Sequence, residues 1–483
     1  MTEIRKLGLY GIIRQKVVDD KLQPDDSITD VSNCHFDRIG AVSLRTGIAG
    51  LGSTVSVAGV CYGMHNTQNG SMFAVFSAGG SAQVYTYGGS AWASNLTGGT
   101  ANTKIRFINF ADRTVVLNLG NVTNMYSSMA FTNAVANGGW ATTGNPINPQ
   151  QMTYSQPKYG EVYKSRMYVA GGNTNGTNLT GSRLYFSDVI DSSGNVAWDP
   201  ANNYVDINPN DGENISGLKR FSLELLVFKP NYIYRFKTVG VDPDPLIKIG
   251  TRSQESVVEG KLGLYFHHDT GFFRYTGGYP KEISRVISDI VSVIPFSYFE
   301  NISSWKDEDH IYWSVGDLTV DGKSWKNVVL RYTESADLWT IYRTANEIRY
   351  ASDYNSVTDL VRVVGTDNGL VGTFDSGNTD FGEPIGYYFV TKWYEWDGVE
   401  NRKIIEDVIA ICERAQGSKL MYQVDSSDDW NTIGEVKKFL SVFKSKNIRF
   451  HRIRFKLSGV STEEGFVFLG MKFPKGHNEG IVL

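Results

Sequence analysis

Short runs of β-branched, aromatic and other apolar residues, separated by Gly, Asn and Asp, recur from about residue 55 to residue 380. The most regular pair covers residues 224–228 and 232–236, with Pro230 and Asn231 in the turn between them. Such pairs predict hairpins of short strands. Units of this kind begin near residues 56, 103, 157, 213, 256, 300 and 344, a spacing close to the roughly 40–50 residues of a propeller blade. The pattern therefore predicts an all-β chain containing a β-propeller of about seven irregular blades.

The pattern changes near residue 381, where longer runs replace the short hairpins. Longer strands are predicted at 387–396, 403–414, 419–424, 448–457 and 465–473. Five such strands in about one hundred residues are typical of a sandwich or jelly roll. The predicted organisation is an N-terminal segment with a hairpin (1–54), a β-propeller (55–380) and an appended C-terminal β-sandwich-like domain (381–483).

One C-terminal run has an irregular phase. The apolar residues of 448–450 and those of 453–457 fall on opposite phases of the strand alternation. A bulge near His451 and Arg452 would keep both sets on the buried face. Helical periodicity is nearly absent, and the best helix candidates are 283–294 and 433–443.

Composition supports a folded, aromatic-rich β-protein and sets few limits on partners. The 483 residues are 41% hydrophobic and 13% aromatic, and the net charge is −4. This charge gives no global argument for nucleic acid or a membrane surface. Three widely spaced cysteines favour a reduced, intracellular assembly compartment. Residues 1–10 lack an apolar core, so no signal peptide is predicted, and no apolar run is long enough for a membrane span.

Catalytic motifs are hard to find. The chain has no Walker loop, no Gly-x-Ser-x-Gly and no His-Glu-x-x-His. His267, His268 and Asp269 look like a metal or acid–base cluster, but neighbours on a strand point to opposite faces, so a turn-flanking pair is the simpler interpretation. The sequence therefore predicts no catalytic residue, no metal site and no cofactor, and hence no enzyme.

Two further patterns resemble binding turns without meeting their spacing. Residues 185–198 are similar to the Asp-box turns of sialidase propellers, but we interpret them as a blade turn packed on Trp198. The acidic loops 206–213 and 241–245 could bind Ca²⁺, yet they lack the EF-hand frame. We predict that both loops are solvated turns.

A basic run between residues 437 and 456 is the one candidate binding surface. Alternation places Arg454 and Lys456 on one face. An ordinary solvated face of a sandwich is the simpler interpretation. The alternative is that Arg449, Arg452, Arg454 and Lys456 form a strand that faces DNA phosphate or an acidic partner.

Three fragments resemble one family. They are residues 33–47, residues 214–218 with the hairpin 225–234, and residues 268–275 followed by 280–284. Together they resemble the nozzle proteins of short-tailed bacteriophages, also called packaged-DNA stabilisation proteins. The resemblance covers residues 33 to about 375 and does not extend to the last hundred residues.

The resemblance implies a β-propeller subunit of a virion tail, assembled in the host cytoplasm. In that family, six copies form a ring below the head-to-tail adaptor. The ring extends the channel for double-stranded DNA, helps to retain the packaged genome, and carries the tail needle or fibres. The implied partners are thus five further copies of the chain, the adaptor, the needle or fibre proteins, and DNA contacted without sequence preference.

Two other functions remain open at this point. The 10 Trp and 26 Tyr could stack on sugars in a glycan-binding propeller of a phage tail. A propeller hydrolase of the sialidase kind is the third candidate. It would need a cluster of carboxylates and arginines in a central pocket.

Overall fold

The computed structural model describes most of the chain, with gaps. The described residues are 5–7, 24, 27–36, 41–52, 59–68, 70–78, 80–110, 113–118, 124–127, 130–133, 157–171, 180–189, 202–238, 243–355, 360–396, 398–415, 417–437, 439–461 and 465–480. The turn at 37–40, the Asp-box-like stretch beyond residue 189, residues 241–242 and Lys438 lie outside these ranges.

Five short strands precede the blades. They are β1 (Arg5–Leu7), β2 (Ile28–Ser32), β3 (Cys34–His35), β4 (Val42–Leu44) and β5 (Ile48–Gly50). Strands β3 and β4 pair as the predicted hairpin, with Cys34 opposite Leu44. Each of the five strands also joins a sheet formed by much later residues, as described below.

The first three blades are four-stranded antiparallel sheets whose strands follow chain order. Blade 1 contains β6 (Cys61–Asn66), β7 (Met72–Ala78), β8 (Ser81–Tyr87) and β9 (Trp92–Thr100). Blade 2 contains β10 (Arg106–Phe110), β11 (Arg113–Leu117), β12 (Asn124–Ser127) and β13 (Ala130–Asn133). Blade 3 contains β14 (Tyr159–Tyr163), β15 (Arg166–Ala170), β16 (Arg183–Phe186) and β17 (Tyr204–Asp206).

Three further sheets have the same order. Blade 4 contains β18 (Gly217–Phe221), β19 (Glu224–Phe228), β20 (Ile233–Phe236) and β21 (Asp244–Ile247). Blade 5 contains β22 (Val258–Glu259), β23 (Leu264–His268), β24 (Gly271–Tyr275) and β25 (Lys281–Glu282). Blade 6 contains β26 (Ser303–Lys306), β27 (His310–Val320), β28 (Lys323–Thr333) and β29 (Leu338–Arg343).

Blade 7 takes one strand from the beginning of the chain. It contains β30 (Ile348–Asn355), β31 (Leu360–Thr366), β32 (Val371–Phe374), β33 (Thr379–Asp380) and β34 (Glu383–Pro384). Strand β5 lies between β32 and β33, antiparallel to the first and parallel to the second. The described residues therefore form seven blade sheets.

Packing between successive blades closes these sheets into a ring. Most of the first strands of successive blades lie side by side, and β30 of blade 7 lies beside β6 of blade 1. At this last joint, Cys61 and Met64 share a buried cluster with Tyr350 and Val363. Closure by radial repetition leaves few exposed sheet edges. The predicted all-β propeller of about seven blades is confirmed.

The remaining strands form two facing sheets, consistent with a sandwich. They are β35 (Gly386–Thr391), β36 (Arg402–Ala415), β37 (Ser418–Val424), β38 (Asn431–Val436), β39 (Leu440–Phe443), β40 (Ile448–Phe450), β41 (Ile453–Val460) and β42 (Phe466–Gly480). One sheet has the order β2-β35-β41-β37-β38. The other runs β3-β4-β42-β36-β39, with β1 on β42 and β40 on β36.

Aromatic pairs join the two sandwich sheets through their shared core. Phe389 meets Phe468 with ring centroids 5.2 Å apart, and Phe455 meets Phe473 at 5.3 Å. The N-terminal strands belong to both sheets, because β2 pairs with β35 and β4 pairs with β42. The described strands before residue 54 thus pair with strands far along the chain, and β3 and β4 also pair with each other.

The long hairpin of blade 6 extends from the propeller to the sandwich. Its turn has Asp321 at φ 49° and Gly322 at φ 73°, the left-handed conformation that a two-residue hairpin loop of type I′ requires. Leu318, Val320 and Trp325 on this extension are buried in the same cluster as the sandwich core. Blades 5 and 6 therefore share one apolar core cluster with the sandwich.

The predicted bulge at residues 451–452 is a change of sheet. Strand β40 pairs with β36 in one sheet, whereas β41 pairs with β35 and β37 in the other. The bend at His451 and Arg452 carries the chain across the sandwich. The apolar residues on both sides of the bend are buried, which explains their opposite phases.

The two helix candidates differ in outcome. The segment 283–294 contains a 3₁₀ turn at Arg285–Ile287 and a short helix, α1, at Ser288–Val291. The segment 433–443 falls in β38 and β39, so a helix there was the wrong prediction. Further 3₁₀ turns lie at Thr180–Ser182, Gln254–Ser256 and Phe296–Asn301. Among the described residues, no helix is long and apolar enough to cross a membrane.

Candidate functional site

The structure brings together three of the four predicted basic residues. On β41, Arg454 and Lys456 alternate with the buried Phe455 and Leu457, so both lie on the outer face of the five-stranded sheet. Arg452 lies in the bend beside them. Arg449 is exposed on β40, which belongs to the opposite sheet, and is therefore not part of this surface.

Aromatic rings separate the cations of this face. The Arg452 and Arg454 guanidinium carbons each lie 4.6 Å from the centre of the Trp393 ring. The Lys456 ammonium lies 4.9 Å from the ring centre of Tyr388 and 5.5 Å from that of Trp430. Each distance falls within cation–π range. The rings thus hold the cations in place on the sheet surface.

Blade 6 supplies the opposite wall of a cleft over this face. The cleft has a volume of about 310 Å³. Its lining residues are Asp30, Lys323, Ser324, Trp325, Arg343, Tyr388, Val390, Trp430, Arg454 and Lys456. No sequence pattern indicated that Lys323 and Arg343 lie beside Lys456. Only the unusual length of β27 and β28 could have suggested a hairpin reaching beyond its blade.

Positive charge is in excess in this cleft. Among the described residues that line it, four are cationic and one, Asp30, is a carboxylate. The pKa of Lys456 is lowered, first by burial and then by Lys323, Arg343 and Arg454, although Asp30 acts in the opposite direction. Repulsion among neighbouring cations is relieved when an anion binds.

A second charged cluster lies on the propeller axis. Arg106 Nε lies 2.6 Å from Glu255 Oε1, and Lys104 Nζ lies 3.1 Å from Glu255 Oε2. Lys104 and Arg106 are at the start of blade 2, whereas Glu255 precedes blade 5, so these ion pairs join blades across the ring. Arg106 also donates to the Lys158 carbonyl at the start of blade 3.

Blades 6 and 7 add to this axial cluster. Tyr298 donates its hydroxyl hydrogen to Glu347, and Arg349 Nη1 lies 2.6 Å from the same carboxylate. Burial raises the pKa of Tyr298, and the adjacent Glu347 raises it further. Burial alone would raise the pKa of Glu255, but Arg106 and Lys104 hold it well below its usual range. Carboxylates and arginines therefore do meet at the centre of the propeller, where they neutralise one another.

The histidine pair has a structural environment. The His267 ring packs edge-on against Phe272 and Phe299, at 5.0 and 4.7 Å between centroids. His268 Nδ1 lies 3.1 Å from the Gly250 carbonyl oxygen. Asp269 instead pairs with Arg252 at 2.8 Å. The two histidines thus pack in the protein interior.

The acidic loop 206–213 is likewise occupied by protein partners. Asp206 pairs with Arg183, and Asp211 accepts from the buried Lys229 Nζ at 2.7 Å with both oxygens. Glu213 accepts from the Asn231 backbone nitrogen. Within the described part of the chain, no three His, Cys, Asp or Glu side chains converge as metal ligands.

Comparison with known proteins finds similarity of structure alone. No family model matches the chain, and no curated protein matches it. A streptogramin B lyase structure is 13% identical, with a TM-score of 0.43, and the match covers 68% of this chain and 97% of that one. BamB from Moraxella catarrhalis is 8% identical, with a TM-score of 0.39 and coverage of 77% and 99%. The WD40 β-propeller domain of Doa1 is 9% identical, with a TM-score of 0.37 and coverage of 68% and 97%.

Proposed function

We propose that the chain is a structural subunit of a short phage tail, a nozzle protein that assembles with copies of itself around the DNA channel. The proposal starts from the three sequence fragments that resemble that family. The observation that carries it is the structural role of the first fragment, whose described residues 33–36 and 41–47 connect the N-terminal strands with blade 7 and the sandwich.

Asn33 and Arg45 are the centre of that joint. Arg45 pairs with Asp380 of blade 7 through two bonds of 2.9 and 2.5 Å, and its Nε donates to Asn33 Oδ1. The Asn33 amide in turn donates to the Gly386 carbonyl of the sandwich. Gly47 allows close approach, since a Cβ there would lie 2.1 Å from the Thr379 oxygen. The fragment that resembles the family thus contains residues that hold this architecture together.

The other two fragments also form joints between structural units. In the second, Ser216 donates to the Thr251 carbonyl, and the buried Lys229 of blade 4 pairs with Asp211 in the loop after blade 3. In the third, Asp269 pairs with Arg252 from the connection between blades 4 and 5. A rigid body built on such joints suits a part that transmits force within a tail.

Assembly is the direct test. We expect the purified chain to form a ring of identical subunits, six by the family resemblance, in mass photometry and negative-stain electron microscopy. We also expect antibodies against it to label the tails of phage particles. A chain that stays monomeric at tens of micromolar and is absent from purified particles would contradict the proposal.

A propeller hydrolase is the second candidate, because the axial cluster contains the residue types that it requires. Tyr298, Glu347 and Arg349 lie together with Arg106 and Glu255 at the axis. A carboxylate beside a tyrosine can act as a base for a hydroxyl nucleophile. Against this role, Arg106 and Lys104 occupy both oxygens of Glu255.

The hydrolase candidate is tested with chromogenic glycosides, sialosides included. Turnover that is lost in Glu347→Gln but kept in Glu282→Gln, an acidic residue of blade 5 outside the cluster, would favour it. Absence of turnover for the whole panel would contradict the hydrolase candidate.

A further inference from the structure

We propose that the cleft between blade 6 and the sandwich is a binding site for a compact phosphate-bearing ligand, of the size of a phosphorylated monosaccharide or a mononucleotide. The site lies in a single subunit. Its existence therefore does not depend on the ring assembly proposed above.

The charge of the cleft selects an anion. Lys323 and Arg343 come from blade 6, whereas Arg454 and Lys456 come from β41, so two walls present cations to one space. Asp30 is the one acidic residue among the described lining residues, and it accepts from the Tyr388 hydroxyl at 3.3 Å. A multiply charged anion would balance the remaining positive charge.

The two arginines are held in fixed orientations. Arg454 Nε donates to Gln423 Oε1 at 2.6 Å, and Arg343 Nε donates to Ser32 Oγ at 2.7 Å. Both guanidinium groups also lie against rings, Arg454 on Trp430 at 5.3 Å and Arg343 on Tyr388 at 5.2 Å. Pre-oriented planar guanidinium groups match the oxygens of phosphate in two-point contacts. Little side-chain ordering would then be required on binding.

The shape of the cleft limits the ligand's size. A volume of about 310 Å³ is at the lower end of the range of ~300–1,000 Å³ for small-molecule pockets. Val390, Tyr388 and Trp430 also line the cleft and provide apolar surface for the group that carries the phosphate. A DNA duplex would contact the rim without filling the cleft.

The ring faces argue against stacked bases as the main contact. Trp430 has both Arg454 and Lys456 over its ring, and Tyr388 has both Lys456 and Arg343. Trp325 is buried in the core. Single-stranded nucleic acid is normally held by bases stacked on open aromatic faces. The surface therefore favours recognition of the phosphate itself.

Calorimetry on the full chain tests the proposal, with pyrophosphate, glucose 1-phosphate, adenosine monophosphate and a mixed-sequence DNA duplex as probes. We expect pyrophosphate and at least one organic phosphate to bind in competition with each other. Tighter binding of the sugar phosphate or of the nucleotide would identify the source of the phosphate.

Three variants locate the site. Lys456→Gln and Arg454→Gln should each raise the Kd for pyrophosphate at least tenfold. Lys323→Gln, at an exposed hairpin position that leaves the sandwich core intact, should weaken binding in the same direction. Arg449→Gln is the matched control, because Arg449 is a cation of the same run on the opposite sheet, and it should leave the Kd unchanged.

Three results would overturn the proposal. One is that no phosphate compound binds at millimolar concentration. Another is that Arg449→Gln weakens binding as much as Lys456→Gln does. The third is that the duplex binds while pyrophosphate neither binds nor competes with it, which would indicate a nucleic-acid surface without a compact site.

Discussion

Arg45 and Asp380 form a deeply buried ion pair, with side chains 2% and 4% exposed. Removing one partner of such a pair leaves an uncompensated buried charge, which typically costs about 3–5 kcal/mol. We therefore expect Asp380→Asn to lower the free energy of unfolding by about that amount in urea titrations. The double variant Arg45→Met with Asp380→Met should lose less than the sum of the two single losses.

The control for this experiment is an ion pair at the surface, formed between two adjacent strands of blade 7. Arg362 and Asp353 lie 2.7 Å apart on blade 7, but the Asp353 side chain is 46% exposed. Exposed pairs contribute about 0–1 kcal/mol, so Asp353→Asn should change the stability little. An equal loss of stability in Asp380→Asn and Asp353→Asn would contradict the central role given to Arg45 and Asp380.

His267 should make the stability of the protein depend on pH. Its burial lowers the pKa of the imidazole to about 3, whereas an unfolded histidine titrates near 6.5. Between these values the unfolded chain binds the proton and the folded chain does not, so stability falls as the pH is lowered through this window. The slope is up to about 1.4 kcal/mol per pH unit for this group.

The variant His267→Phe should reduce this slope between about pH 6.5 and 4, because phenylalanine keeps the ring contacts with Phe272 and Phe299 without a titrating group. His451→Phe is the control, since the His451 side chain is 42% exposed. Urea titrations at several pH values measure the effect. An unchanged slope in His267→Phe would show that other groups dominate.

At the scale of elements, the hairpin of β27 and β28 connects the propeller with the sandwich. Trp325 is buried at this junction, and loss of a buried Trp side chain costs about 3–5 kcal/mol. We expect Trp325→Ala to destabilise the protein by that order and to make the hairpin tip a preferred site of limited proteolysis. Lys326 is the next residue and is exposed, so Lys326→Ala should change neither the stability nor the sites of limited proteolysis.

The elements also show where sequence reasoning succeeds. The local alternation of apolar and polar residues was sufficient to predict the blade hairpins, because most strands in the blades pair with strands that are their neighbours in the chain. It failed at 433–443, where β38 and β39 pair with different sheets. It also could not show that 448–457 changes sheets, because alternation records which residues are buried but not against which sheet.

The candidate sites show the same limit. Arg452, Arg454 and Lys456 could be found from the sequence because they are close together in one run. Lys323 and Arg343 could not, since only the tertiary fold brings blade 6 to β41. The axial ion pairs could not be found either, because the residues of three blades separate Lys104 from Glu255 and no local pattern relates them.

At the scale of the whole molecule, the axial cluster holds opposite blades together. Glu255→Gln would leave Lys104 and Arg106 without their carboxylate in the interior, and about 3–5 kcal/mol of stability should be lost. We expect hydrogen exchange to increase together at the start of blade 2 and at the start of blade 5. Urea titration measures the loss of stability.

Glu282→Gln serves as the control, because Glu282 of blade 5 pairs with the strongly exposed Arg285. This variant should leave exchange at the axis unchanged. Faster exchange confined to the neighbourhood of residue 255 in Glu255→Gln would contradict a connection across the axis.

The position of the first strands has a consequence for synthesis of the protein. Strand β5 pairs with strands of blade 7, and β4 pairs with β42. During translation these two N-terminal strands therefore lack those partners until most or almost all of the chain has been synthesised. Contacts so distant along the chain form slowly, and unpaired strands are prone to aggregate in the meantime. We expect such a nascent chain to need chaperones that cover its N-terminal strands. A premature stop before blade 7 would release a product with an open ring, and a stop between blade 7 and the last strand would leave the sandwich incomplete.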